Sequence, residues 1–209
     1  MNLKTRFGPA GNAQSFSELG YKKNTQIPEY LGRWGLNAYE YQCGRGVKIS
    51  EAAARAFGQV AAEQDIQLSL HAPYYISMSS VDPEKRDKSV DYVLQSGGDR
   101  VVIHTGSCGK ISREQALELA IDTTRKCIAA LDGEGLSHIH MCPETMGKVN
   151  QLGTLEEVLA LCRLDERILP CIDFGHLNAR TFGSLNTAAA FAEIFEKMEN
   201  EIGTDRMRM

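Results

Sequence analysis

No apolar stretch of the 209-residue sequence approaches the roughly 20 residues that a membrane-spanning helix requires. Residues 1–9 also lack the charged-then-apolar layout of a secretory signal. The expectation is a cytoplasmic chain with no membrane partner. An excess of basic charge is missing as well: 23 Lys and Arg against 27 Asp and Glu leave a net charge of −4. That balance excludes a nucleic-acid coat that binds through phosphate neutralisation alone, although local positive charge or a bound metal can still attract phosphate. The six cysteines form no C-x-x-C pair and no regular spacing, which excludes a zinc ribbon and a small disulfide scaffold. They read as reduced thiols, most of them small hydrophobes in a core. A dinucleotide fingerprint is absent too, because residues 7–12 put Pro9 in the first turn and lack G-x-G-x-x-G spacing.

What is present is the composition of one folded domain over 1–209, 43% apolar and 24% charged, with no low-complexity segment or linker. Short β-prone runs at 3–8, 36–42, 66–70, 100–103, 137–142 and 168–172 alternate with helical stretches at 28–35, 51–64, 83–95, 112–131, from 154, and at 186–202. Caps mark several starts: Ser50, Asp82 before Pro83, and Ser112, with Gly97-Gly98 expected to close the helix that Asp82 opens. Repeated β-α units build a parallel sheet, and the fold class is α/β of the TIM-barrel type with about six of eight units. The chain stops at Met209, where a seventh strand is expected, so this reading predicts a truncated barrel. Its two open edges favour self-association.

The chemistry-bearing residues recur at equivalent places. His71, His104, Glu144 and Asp173 each follow a β-run, and the carboxyl ends of parallel barrel strands converge on one face. Imidazoles and carboxylates together suit zinc, manganese or iron rather than calcium. His176 follows Asp173 by three residues and reaches the same face from a loop that Gly175 lets turn sharply. Metals bridged by Glu144 suit an in-line phosphoryl displacement without a protein nucleophile.

The segments 70–76 (LHAPYYI), 102–107 (VIHTGS), 143–148 (PETMGK) with 152–154 (LGT), and 171–176 (CIDFGH) resemble, in order, the motifs of the endonuclease IV family. That family belongs to the xylose-isomerase-like TIM barrels and cuts DNA at abasic sites with a cluster of zinc ions. The resemblance implies that His71 and His104 hold one zinc with Glu144 as the catalytic bridge, that Asp173 joins Glu144 on a second, and that His176 binds a third. Tyr74 matches the family's loop tyrosine at the distorted DNA; a packed loop aromatic is its plainer reading. The family's remaining ligands, from later strands and an Asp-x-His pair, have no counterpart in this sequence, which implies an incomplete second site, an empty third one and impaired cleavage.

Plainer readings hold elsewhere. His138 and His140 share strand parity with Cys142 and Glu144, but a hydrogen-bonded structural role is the ordinary outcome. Glu40 suits either the pocket wall or an edge ion pair. Arg45, Lys48 and Lys148 are loop charges on the site's face, solvated or touching phosphate. The acidic stretch 193–201 is an exposed helix face. Two other functions compete with a nuclease acting on abasic DNA: a sugar isomerase or epimerase of the same superfamily, and an inactive fragment that serves only as a binding surface.

Overall fold

The computed structural model describes residues 4–96 and 99–209; Gly97 and Gly98, the expected helix stop, lie outside them. Four parallel strands form one sheet in sequential order: β1 (Ala38–Gln42), β2 (Gln67–His71), β3 (Arg100–His104) and β4 (His140–Glu144). Each crossover runs through a helix, namely α3 (Glu51–Glu63), α4 (Pro83–Ser96) and α5 (Arg113–Gly133). The starts follow the capping chemistry of the sequence. Ser50 accepts from the Ala53 amide, Asp82 from Glu84, and Ser112 shares a reciprocal capping box with Gln115. Two short helices, α1 (Gln14–Glu18) and α2 (Ile27–Gly32), precede β1, and α6 (Leu155–Cys162), α7 (Phe174–Arg180), α8 (Ala188–Ile202) and α9 (Thr204–Arg208) follow β4.

Six β-runs become four strands, and prolines explain both losses. Residues 7–11 do lie beside β1: Ala38 N donates to Phe7 O, Glu40 N to Pro9 O, and Gly11 N to Glu40 O. The intervening bond needs a donor at Pro9, which has none. Gly8 lets this segment lie so close that a Cβ there would overlap the Ala38 carbonyl. On the far edge, Leu169 N donates to Met141 O, Cys171 N to Pro143 O and Thr145 N to Cys171 O. There the missing donor is Pro143, so single bridges at Ile168 and Cys171 replace a continuous ladder.

Alternation along the strands divides the side chains. Leu70, Val101, Ile103 and Met141 point outward into the main core with α5, α6 and α8. Tyr39, Phe57 and Ile66 anchor a second core beneath α1 and α2. On the inner face the register aligns Glu40 with Ser69, Ser69 with Arg100, and Arg100 with His140. Above this polar row, Val102, Cys142 and Leu169 pack together against Cys171. A cavity of about 1120 Å³ opens on the inner side beside Glu40, Ser69, Arg100, Phe195 and Met207. All six cysteines are free thiols, as the spacing predicts. No helix among the described residues is long and apolar enough to cross a membrane.

Candidate metal centre

Parallel pairing converts sequence spacing into convergence. His71 is the last residue of β2, His104 of β3 and Glu144 of β4, and the register places His104 directly beside Glu144. Glu144 Oε2 lies 3.4 Å from His71 Nε2 and 3.3 Å from His104 Nε2. Glu144 is 6% exposed, and its Oε2 makes no hydrogen bond.

The imidazole at His71 explains why that oxygen is orphaned. Its Nδ1 lies 2.9 Å from the Ala72 carbonyl, which can only accept, so Nδ1 carries the proton and the neutral ring turns a lone pair at Nε2 toward the carboxylate. Two lone-pair atoms facing each other require a cation between them or a second proton on the ring. Burial pushes Glu144 up, but the facing imidazoles of His104 and His71 outweigh it and hold the carboxyl at about 2. Burial likewise pushes His71 down, and Glu144, the Ala72 carbonyl and Glu40 reverse it, leaving the ring above its ordinary value.

The donor set fits a divalent ion. A tetrahedral ion bound at about 2.0–2.2 Å keeps its ligand atoms about 3.3–3.6 Å apart, the range in which both imidazole nitrogens stand from Glu144 Oε2. Ligand atoms of His71, His104 and Glu144 all lie within 4.8 Å of one another, and so do those of Glu144, Asp173 and His176.

The second group is built differently. Asp173 caps α7, its Oδ1 accepting from the His176 amide at 2.7 Å. His176 therefore lies on the first turn of a helix, where the sequence suggested a loop hinged at Gly175. His176 Nδ1 is 3.5 Å from Glu144 Oε1 and 3.4 Å from Asp173 Oδ2, so it stands beside the same carboxylates. That nitrogen also donates to the Thr145 carbonyl at 2.9 Å, so in the neutral ring the lone pair sits on Nε2. His71 thus turns a lone pair toward Glu144, whereas the His176 nitrogen nearest Glu144 and Asp173 is an N–H donor.

Thr145 carries no signal of its own in the sequence, yet it ties the two groups. Beyond its carbonyl, its Oγ1 accepts from Asp173 N at 2.9 Å, and the side chain is fully buried. Arg180, one helical turn past His176, donates to the carbonyls of Met146 and Lys148, both at 2.7 Å. It thereby pins α7 to the loop after Glu144.

Tyr74 covers the first group, with its ring 5.6 Å from His104 and 5.4 Å from His71. Glu40 accepts from Gln42 Nε2 at 2.7 Å rather than joining an edge ion pair among the described residues. Burial raises its pKa, and the charges of His71 and Glu144 both reach it. It lines the inner-face cavity, whose walls do not include the metal-centre residues. His138 is exposed and lies before β4, so its predicted inward parity fails, while His140 Nδ1 donates to the Arg167 carbonyl at 3.2 Å. Arg45, Lys48 and Lys148 are exposed.

The family model of xylose isomerase-like TIM barrels matches residues 28–209. The chain belongs to this family. Among its relatives, the uncharacterized protein MJ0133 of Methanocaldococcus jannaschii is 31% identical over 186 residues, covering 86% of this chain and 67% of the relative. A probable endonuclease 4 of Mycoplasma pneumoniae is 29% identical over 152 residues, 67% of this chain and 50% of that protein. The chain thus spans half to about two thirds of the length of these relatives. Solved structures agree on the fold. A D-tagatose 3-epimerase-like protein superposes with a TM-score of 0.63 at 20% identity, over 83% of this chain and 66% of the other. The family 2 AP endonuclease of Brucella melitensis gives 0.58 at 13% identity, over 85% and 70%.

Proposed function

We propose that this xylose isomerase-like barrel serves a divalent-metal-dependent phosphodiester hydrolase of the endonuclease IV type, acting on DNA at abasic sites. The observation that carries the reading is the orphaned Glu144 Oε2, faced at 3.3 and 3.4 Å by two imidazole nitrogens. Relatives named probable endonuclease 4 support it. In this reading His71, His104 and Glu144 hold one ion, and Asp173 and His176 serve a second through the other Glu144 oxygen. Zinc suits the donors, and manganese or iron(II) is compatible with them. When bound, such ions neutralise charge on a phosphodiester and acidify water.

The residues themselves shape access. Asp173 and His176 are partly exposed, which leaves that side of the site open to a phosphate backbone, while Tyr74 overhangs the other. Arg45, Lys48 and Lys148 supply local positive charge that a chain of net charge −4 otherwise lacks.

The test is metal titration followed by scission of a duplex containing an abasic site, at protein in excess of DNA. Scission that needs the added divalent ion and disappears in Glu144→Gln supports the proposal. Metal binding without scission rejects its nuclease part, and turnover of a ketose in the same preparation assigns the site to the isomerase and epimerase branch instead.

A further inference from the structure

A histidine that binds a metal is ordinarily oriented by a hydrogen bond from its second nitrogen, which fixes both tautomer and ring plane. His71 has such a partner in the Ala72 carbonyl and His176 in that of Thr145. For His104 Nδ1 no hydrogen-bond partner is found among the described residues, although its Nε2 faces the orphaned carboxylate oxygen. What holds this ring is aromatic contact. Tyr74 lies over it nearly parallel, at 5.6 Å and 26°, and His71 meets it edge-on at 5.1 Å and 86°.

Tyr74 in turn owes its place to a missing side chain. Its amide is 3.4 Å from the Gly44 carbonyl, and its ring lies across the Gly44 Cα. A Cβ there would stand 2.9 Å from Tyr74 Cδ2 and Cζ and closer still to Cε2, so any larger residue drives the ring off the imidazoles. Tyr74 is 59% exposed, and burial on its open side offers nothing to hold it.

We infer that Tyr74 is a positioning residue for His104, its stacking standing in for a hydrogen bond that no described residue gives Nδ1, and that Gly44 is the positioning residue for Tyr74. The inference rests on the metal reading proposed above and adds a role for Tyr74 that is exercised before any nucleic acid arrives. A tyrosine that only touched DNA would leave metal affinity untouched.

The experiment is a zinc titration in the absence of DNA, by competition with a chromophoric chelator, on the native chain and on Tyr74→Phe, Tyr74→Ala, Gly44→Ala and the Gly44→Ala/Tyr74→Ala double variant. Losing the outer partner of a ligand costs about 10–100-fold in affinity. That loss is expected for Tyr74→Ala and for Gly44→Ala, while Tyr74→Phe retains native affinity. The double variant is expected to bind no more weakly than Tyr74→Ala, because the group that Gly44→Ala displaces is already gone. Melting curves in chelator separate any folding loss, and if Gly44→Ala fails to fold, the Tyr74→Phe and Tyr74→Ala pair decides. Native affinity in Tyr74→Ala, or fully additive losses in the double variant, overturns the inference. A native chain that binds no zinc overturns the metal reading itself.

Discussion

Glu144 is the residue on which the site turns, because a buried carboxylate is tolerated only where cations or donors compensate its lost hydration. Replacing it with glutamine removes the charge that two imidazoles face and keeps the volume. Zinc affinity is expected to fall by more than the 10–100-fold typical of an outer partner, measured by chelator competition, with the fold retained by circular dichroism. The thiols make a second test at this scale. Burial pushes Cys127, Cys142 and Cys162 up to about 12, which leaves almost no thiolate at neutral pH. Alkylation of the native protein is therefore expected to spare these three, and all six cysteines to react after denaturation, as counted by mass spectrometry. His71, His104 and Asp173 are legible as site candidates in the sequence because each directly follows a β-run, with Glu144 two residues after its own. Gly44 is not, since its importance depends on a ring that arrives from the next β-α unit.

Among the elements, α6 and the segment after it show how local chemistry fixes the sheet's far side. Thr154 and Glu157 form a capping box, and Glu157 Oε2 also accepts from the Gly153 amide while Oε1 pairs with Arg113. Leu159 on the same helix is fully buried, and its truncation to alanine is expected to cost about 2–5 kcal/mol in urea unfolding, with metal affinity of the folded fraction unchanged. Arg167 joins Asp132 at the end of α5 to Asp165 and holds both carboxyls below their ordinary range. Depressed carboxylates stabilise the fold above their unfolded pKa of about 3.9 and lose that contribution as pH falls through the folded values. Arg167→Met is expected to flatten the acid limb of stability, so that its deficit, read by urea melts, shrinks from pH 7 to pH 3. Strand boundaries in this region are less legible in the sequence. Hydropathy marks an apolar run but not the donor that Pro143 withholds from Leu169 O, and Asp173 looked like a strand-end ligand without showing that it also starts a helix.

In the proposed metal reading, stability and metal are coupled across the whole molecule. An ion that binds only the assembled sheet stabilises it by about 2.7 kcal/mol at a free concentration of 100 Kd. For a chain of this size, each kcal/mol moves the melting midpoint by about 2–4 °C. The expected rise on zinc addition is thus about 5–11 °C for the native chain and nearly none for Glu144→Gln, by differential scanning fluorimetry.

The lone-pair face shared by His71, His104 and Glu144 has a mechanical side. Strands β2, β3 and β4 are joined covalently only by long helical detours, so the proposed ion, gripping their tips, would act as a rivet across the ladder. Metal starvation would withdraw that rivet, and the chain would then yield sooner to a protease probing the sheet from its carboxyl ends.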